Sequence, residues 1–249
     1  VKKTIWALIP ARFGSTRLPG KPLRIIAEKP LIQWVWEAAD GSKSISRTII
    51  ATDDERIAAI AAEFGAESVM TDPKHASGTD RIAEVIMNTY PAERPDYVVN
   101  IQGDEPLLTA GILDEFLDRF VDSGQSIGTI IAPAQRRDID DPSKVKVVVD
   151  RHGDAIFFSR SKIPFDRDGK GNVDYLKHVG IYAFKTHALM DFTKLEPTPL
   201  ERIEKLEQLR VLEHGRTIRC IEIEAAAGLI GVDTEADIVE VESALSKRN

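Results

Sequence analysis

"TIWALIPARFGSTRLPGKPL", residues 4–23, sets an apolar run directly against a loop that is punctuated by Gly14, Pro19, Gly20 and Pro22 and carries Arg12, Arg17 and Lys21. An apolar run that stops at a glycine-rich cationic loop reads as a core strand whose C-terminal end opens a ligand crevice in an α/β sheet. Small residues let backbone N–H groups approach a phosphate chain, and the cations supply charge where the strand ends. At about 4 Å and an effective dielectric of about 20, one cation–phosphate contact is worth roughly 4 kcal/mol before desolvation, so two or three can hold a triphosphate. The loop is not the P-loop of nucleotide hydrolases, which requires G-x-x-x-x-G-K-[ST]. Five residues separate Gly14 from Gly20, and Pro22 stands where that motif has its hydroxyl. A solvated basic turn is the rival reading, and the position after the first strand weighs against it.

Outward from this stretch the chain alternates β-branched runs with helical patterns, which predicts a sheet covered by helices. "TIIAT" (48–52), "DYVVNI" (96–101) and "SIGTIIA" (126–132) join TIWALI (4–9) as core strands, while 53–65 and 78–90 have amphipathic helical spacing, the first closed by Gly65. The first half therefore reads as a doubly wound α/β unit. After about residue 133 the rhythm changes: "VKVVVDRHGDAIFF" predicts a hairpin and "LKHVGIYAF" another strand. A helix returns at "TPLERIEKLEQLRVLEHG", with Thr198 and Glu201 as a capping box, Pro199 at its first position and Gly215 at its end. The expectation is one α/β domain over 1–249 with an insertion at about 133–195, and no repeat or linker.

The net charge of −7 argues against a nucleic-acid partner, which would need a basic face. Apolar stretches fall short of the roughly 20 residues of a membrane span and the start is too soon interrupted for a signal peptide, so a cytoplasmic location with no membrane partner is expected. The single cysteine, Cys220, lies in the strand-like "TIRCIEIE", which excludes an internal disulfide and favours a buried thiol over a nucleophile.

"NIQGDEP" (100–106) places Asp104 and Glu105 just beyond a buried strand, in a turn opened by Gly103. Carboxylates at a strand end beside a phosphate loop suit Mg²⁺, which takes one or two carboxylates plus phosphate oxygens and waters. Asp233, flanked by Thr234 and Asp237, reads from the sequence as a helix N-cap. Ser77-Gly78-Thr79 reads as a helix start that leads to Arg81. No Ser/His/Asp or Cys/His nucleophile arrangement stands out.

The run "IPARFGSTRLPGKPL" resembles the signature of sugar nucleotidylyltransferases. With "ATDDERI", "HASGTDRIAEV", "NIQGDEPLL", "VKVVVD", "FSRSKIPFDRD", "LKHVGIYAF", "LEQLRVLEHG" and "GVDTEADI" in order, nearly the whole chain is similar to the 3-deoxy-manno-octulosonate (Kdo) cytidylyltransferase, or CMP-Kdo synthetase, family. The resemblance implies a glycosyltransferase-A-like, Rossmann-like mixed sheet with helices on both faces, the middle insertion serving sugar binding and dimerisation. It implies CTP and Kdo as substrates, Mg²⁺ as cofactor, a homodimer, and a place in lipopolysaccharide biosynthesis. In that reaction the anomeric hydroxyl of Kdo attacks the α-phosphorus of CTP and pyrophosphate leaves.

Carried over by position, the resemblance gives the nucleotide to Ala11, Arg12, Gly14, Ser15, Lys21, Ser77, Gly78, Arg81 and Gln102, with Arg81 reading the cytosine edge. Arg12, Lys21 and Asp104 are the expected catalytic residues, Asp104 and Asp233 the metal ligands, and Glu105 serves packing. The sugar falls to Arg160, His178, Tyr182, Glu207 and Gln208. Each of the last four has a bland rival: a core histidine, a packing ring, and a solvated helix face opposite Ile203, Leu206, Leu209 and Leu212. Phe13 stands where the family commonly has tyrosine, Lys177 where an arginine often precedes the histidine, and "YAFK" where a more glycine- and tyrosine-rich segment is usual. Alternative readings are a cytidylyltransferase for another acidic sugar, such as 8-amino-Kdo or a sialic-acid-like acceptor, and a non-catalytic CTP-binding regulator.

Overall fold

Ile5–Ala11 forms strand β1, and every residue in it except Pro10 is buried. Burial of consecutive residues, rather than every second one, marks a strand covered on both faces, which is the condition of a parallel sheet. The computed structural model describes residues 3–14, 18–171 and 173–247. Ser15 and Arg17 of the cationic loop lie outside them.

After β1 come a 3₁₀ turn (Lys21–Leu23), the short strands β2 (Ile25–Ile26) and β3 (Lys29–Pro30), α1 (Leu31–Asp40), β4 (Arg47–Thr52), α2 (Glu55–Glu63), β5 (Glu67–Met70), α3 (Gly78–Glu84), β6 (Tyr97–Asn100) and α4 (Ala110–Ser123). The second half runs β7 (Ile127–Pro133), α5 (Arg136–Ile139), β8 (Lys146–Val149), β9 (Ala155–Ser159), β10 (Leu176–Lys185), α6 (Thr186–Phe192), α7 (Pro199–Glu204), α8 (Gln208–Glu213), β11 (Arg219–Glu222) and α9 (Glu235–Ser246).

The chain divides into two compact units, Val1–Asp114 with Gly228–Asn249, and Glu115–Ala227. Both are α/β, as the alternation of runs predicts. In the first, β6, β1, β4 and β5 lie side by side in that order, all parallel. Ala7, Leu8 and Ile9 of β1, Ile49, Ile50 and Ala51 of β4, and Val98 and Val99 of β6 are fully buried and form its core. Asp54 caps α2 by accepting from Arg56 N–H, and Gly65, at φ 81°, follows that helix in the left-handed conformation the sequence implies. In the second unit β7 pairs antiparallel with β10 and parallel with β11, while β8 joins β10 to β9 through antiparallel ladders.

Two helices differ from their sequence reading. The 78–90 pattern begins as α3 but widens into a π turn over Val85–Thr89, closed by Tyr90 N–H to Val85 O at 3.2 Å. That turn sets the Tyr90 ring edge-on against Trp6, with centroids 5.3 Å apart, and its hydroxyl on Glu67. The 198–215 pattern starts as read, with Pro199 in the first turn and Thr198 N–H on Glu201 Oε2, but breaks at Lys205, whose φ of 54° is left-handed. α8 therefore begins with a new phase. Ile203 ends 77 % exposed instead of joining Leu206 and Leu209 in the core, and Gln208 is buried instead of facing solvent.

Candidate active site

The cationic loop delivers Lys21 to two carboxylates. Gly20 turns the chain at φ 65°, its N–H bonded to Phe13 O, and a Cβ there would stand 3.1 Å from the Phe13 ring. Glycine is thus required both for the backbone and for the contact. Asp104 sits in the turn after β6, held down on β1 because Gly103 lies against Pro10 O and Ile32. Asp233 comes from the segment before α9, which is tied to that turn by Val232 N–H donating to Asp104 O at 2.8 Å. The Lys21 ammonium donates to Asp104 Oδ2 at 2.7 Å, Val232 O at 3.0 Å and Asp233 Oδ1 at 3.1 Å. Burial pulls the lysine pKa down, but Asp104 and then Asp233 outweigh it, so the group stays charged with its pKa raised.

The structure corrects the N-cap reading of Asp233. Thr234 caps α9 by accepting from Asp237 N–H, and the Asp237 carboxylate accepts from the N–H groups of Asp233 and Thr234. One residue outside the cap, the Asp233 carboxylate is left to face Lys21. The Glu105 carboxylate packs against Gly231, where a Cβ would come within 3.1 Å of its Oε1.

A cleft of about 160 Å³ opens where β1 ends. Ala11, Arg12, Ser77, Gly78, Arg81 and Gln102 line it, so six of the nine nucleotide candidates meet in one place, joined by Pro10, His75 and Ala76. Its volume is well below the roughly 300–1,000 Å³ of a site that encloses a whole ligand, so it suits one part of a larger one. Ser77 starts α3 by accepting from Asp80 N–H, and Gly78 packs on Pro10 at a distance that leaves a Cβ 3.0 Å from the ring. Arg81 is only 3 % exposed, its guanidinium held by Asp53 Oδ2 at 2.7 Å and by the Thr71 hydroxyl. His75 Nε2 lies 2.5 Å from Glu84 Oε2. Gly14 and Lys21 are outside this lining; Gly14 has nothing within 4 Å of a notional Cβ.

The sugar candidates all belong to the second unit. In β10 the pairing with β7 shifts between Val179 and Tyr182, and Thr129 fills the irregularity. Its hydroxyl donates to Ile181 O at 2.8 Å, which leaves it to accept from His178 Nε2 at 2.9 Å and assigns the ring proton to that nitrogen. Burial lowers the His178 pKa to about 3 and, with Glu207 and Cys220 adding to it, raises that of Tyr182. The two rings touch, with centroids 5.3 Å apart. Arg160 donates to Glu204 O at 2.8 Å and Pro142 O at 3.0 Å, bonds in which Nη2 takes no part. Gln208 Nε2 is buried and meets no hydrogen-bond acceptor among the described residues. Cys220 is 6 % exposed and its pKa is pushed up to about 12 by burial, the inert thiol expected of a strand residue.

Sequence reasoning assigned no role to Asp53, Thr71, His75 or Glu84. Asp53 and Thr71 lie 28 and 10 residues from Arg81, beyond any helical or strand periodicity. The pair His75 and Glu84 was signalled only by its position around "HASGTDRIAEV".

A crevice at the end of a parallel strand, lined by Arg12 of the cationic loop and the start of α3, together with two carboxylates that converge on Lys21 of the same loop, is the arrangement of a nucleotidyl-transferring enzyme. The chain belongs to the cytidylyltransferase family, whose pattern it matches over residues 6–218. Within that family it is 46% identical over 241 residues to a 3-deoxy-manno-octulosonate cytidylyltransferase of Solibacter usitatus, covering 96% of this chain and 93% of that one. It is 42% identical over 244 residues to the protein of the same name from Myxococcus xanthus, covering 97% and 96%. A solved structure of CMP:2-keto-3-deoxy-manno-octonic acid synthetase complexed with CTP superposes with a TM-score of 0.91 at 37% identity, covering 99% of this chain and all of that one.

Proposed function

We propose that this protein transfers CMP from CTP to the anomeric hydroxyl of Kdo, releasing pyrophosphate and giving CMP-Kdo for lipopolysaccharide biosynthesis. The observation that carries the reading is the near-complete superposition on a CTP-bound CMP-Kdo synthetase. Arg12 and Lys21 bind the phosphates, and Ser77, Gly78 and Gln102 line the nucleoside end. Arg81 presents donors to the O2/N3 acceptor edge of cytosine, fixed in orientation by Asp53 and Thr71. On the acceptor side Arg160 receives the Kdo carboxylate, and His178, Tyr182, Glu207 and Gln208 receive its hydroxyls. The buried Gln208 Nε2, with no acceptor among the described residues, supports that assignment.

Asp104 and Asp233 fit a Mg²⁺ ion: two hard oxygen donors from separate segments already converge on one cation, the Lys21 ammonium. When bound, the metal would neutralise and polarise the α-phosphate. The protein aligns the two substrates and supplies fixed charge, with no covalent nucleophile of its own. A homodimer in the cytoplasm completes the proposal; among the described residues no helix is long and apolar enough to cross a membrane.

Pyrophosphate release with Mg²⁺ and CTP tests the reading, with Kdo, 8-amino-Kdo and a sialic acid offered in parallel and ATP, UTP and GTP as controls. Turnover with CTP and Kdo is expected. Turnover only with another sugar would move the assignment to that acceptor, and CTP binding without turnover would make the protein a regulator.

A further inference from the structure

All three hydrogens of the Lys21 ammonium are engaged inside the protein, by Asp104 Oδ2, Val232 O and Asp233 Oδ1 at 2.7–3.1 Å. An ammonium has three donors and no more, so in this arrangement none is left for a phosphate oxygen. The carboxylates it bridges are the same two that the proposed function gives to the metal. One lysine therefore cannot hold the phosphates while it also fills the seat between Asp104 and Asp233.

We propose that Lys21 is a built-in stand-in for the divalent cation. In the nucleotide-free protein it neutralises Asp104 and Asp233 and pins the turn after β6 to the segment before α9; the arriving metal displaces it, which frees its ammonium to turn to the phosphates. The inference rests on reading these carboxylates as the metal site. Two carboxylates brought to one cation repel each other when that cation is removed, so an empty seat would push the two segments apart. A lysine fills it at low cost, because a compact charge on a flexible four-carbon stem can be re-aimed by rotation alone. The consequence is selectivity in order: metal alone meets an occupied seat, whereas metal arriving with a polyphosphate offers the displaced ammonium new partners.

The test uses the full-length protein without nucleotide. Mn²⁺ binding, followed by the loss of the free-ion electron paramagnetic resonance signal, is measured for wild type, Lys21→Met, Lys21→Arg and the double variant Lys21→Met/Asp104→Asn, each checked for folding by circular dichroism. In parallel the Lys21 ¹⁵Nζ resonance of the wild type, assigned by its absence in Lys21→Met, is followed through a Mg²⁺ titration. Lys21→Met is expected to bind Mn²⁺ at least tenfold tighter than wild type, the double variant to lose that gain, Lys21→Arg to stay near wild type, and the ¹⁵Nζ signal to move in step with Mg²⁺ occupancy. Equal Mn²⁺ affinity in wild type and Lys21→Met overturns the proposal. So does metal binding that leaves the ¹⁵Nζ signal unmoved, since lysine and metal would then share the carboxylates and the variant's gain would be through-space attraction alone. If Lys21→Met does not fold, the ¹⁵Nζ titration, assigned through Lys21→Arg, decides by itself. None of these readouts involves CTP, so a failed pyrophosphate assay on the same preparation would count against the proposed reaction and leave this result standing.

Discussion

Asp104 is a metal-ligand candidate fixed in the turn after β6 and bonded there to Lys21. Asp104→Asn removes the charge that both a metal and Lys21 require while keeping the shape of the turn, so kcat is expected to fall at least a hundredfold. The pair is partly solvated, with side chains 17% and 28% exposed, so unfolding free energy should change by no more than about 1 kcal/mol. Pyrophosphate release and urea denaturation separate the two effects, and near-normal turnover would remove Asp104 from the chemistry. Arg81→Lys is a second residue-scale test. Lysine keeps the charge but lacks the planar fork that meets Asp53 and Thr71 together, so the KM for CTP should rise about tenfold or more and the preference over UTP should narrow, measured by steady-state kinetics. At this scale the sequence shows the strand-end segments well, since the cationic loop that carries Lys21 and the turn that carries Asp104 each open where an apolar run stops. It hides partners brought from elsewhere in the chain: nothing near Arg81 points to Asp53, and Asp233 looks like a helix cap until Thr234 is seen in that position.

Elements were legible where burial on both faces leaves a continuous apolar run, as in β1, β4, β6 and β7, and less so where a single backbone dihedral resets a helix. Lys205 at φ 54° is such a case, splitting one periodic pattern into α7 and α8 and sending Gln208 inward. A sharper instance is the two-residue connection between β2 and β3, where Ala27 and Glu28 both take positive φ, 44° and 71°. A hairpin this tight needs that conformation at both central positions, for which Asn-Gly is the favoured pair; alanine and glutamate adopt it against the clash of Cβ with the carbonyl. Replacing them together by Ala27→Asn and Glu28→Gly should stabilise the protein by about 1 kcal/mol, after the loss to glycine's larger unfolded-state entropy. The midpoint of urea unfolding reads this directly, and a lower midpoint would mean that packing by the Ala27 and Glu28 side chains outweighs the strain; the backbone N–H of residue 27 that donates to Glu242 is present in both proteins.

For the whole molecule, the titrations that folding perturbs set the pH range over which it stays stable. His178 is held neutral with its pKa lowered to about 3 from an ordinary 6.5, so below pH 6.5 the unfolded chain takes up a proton that the folded protein refuses. Stability must then fall with acidification from pH 6.5 toward 3, by at most about 1.4 kcal/mol per pH unit for one group. The carboxylates add a second, lower window. Glu67 and Glu201, against whose desolvation the bonds to Arg47 and Arg210 prevail, have lowered pKa values, so their contribution is complete above 4.5 and is lost as pH drops through their folded values. On the alkaline side Cys220 keeps its proton to about 12 whereas the unfolded thiol loses it near 9.0, and stability declines as pH rises between those values. The expected profile is a plateau from about pH 6.5 to 9 with a shoulder on its acid side. Urea unfolding from pH 3 to 10 should show it, and His178→Gln should hold the plateau down to about pH 4.5, because only the carboxylates then remain to titrate. An unchanged acid limb in that variant would show that His178 is solvated enough to take up its proton in the folded state.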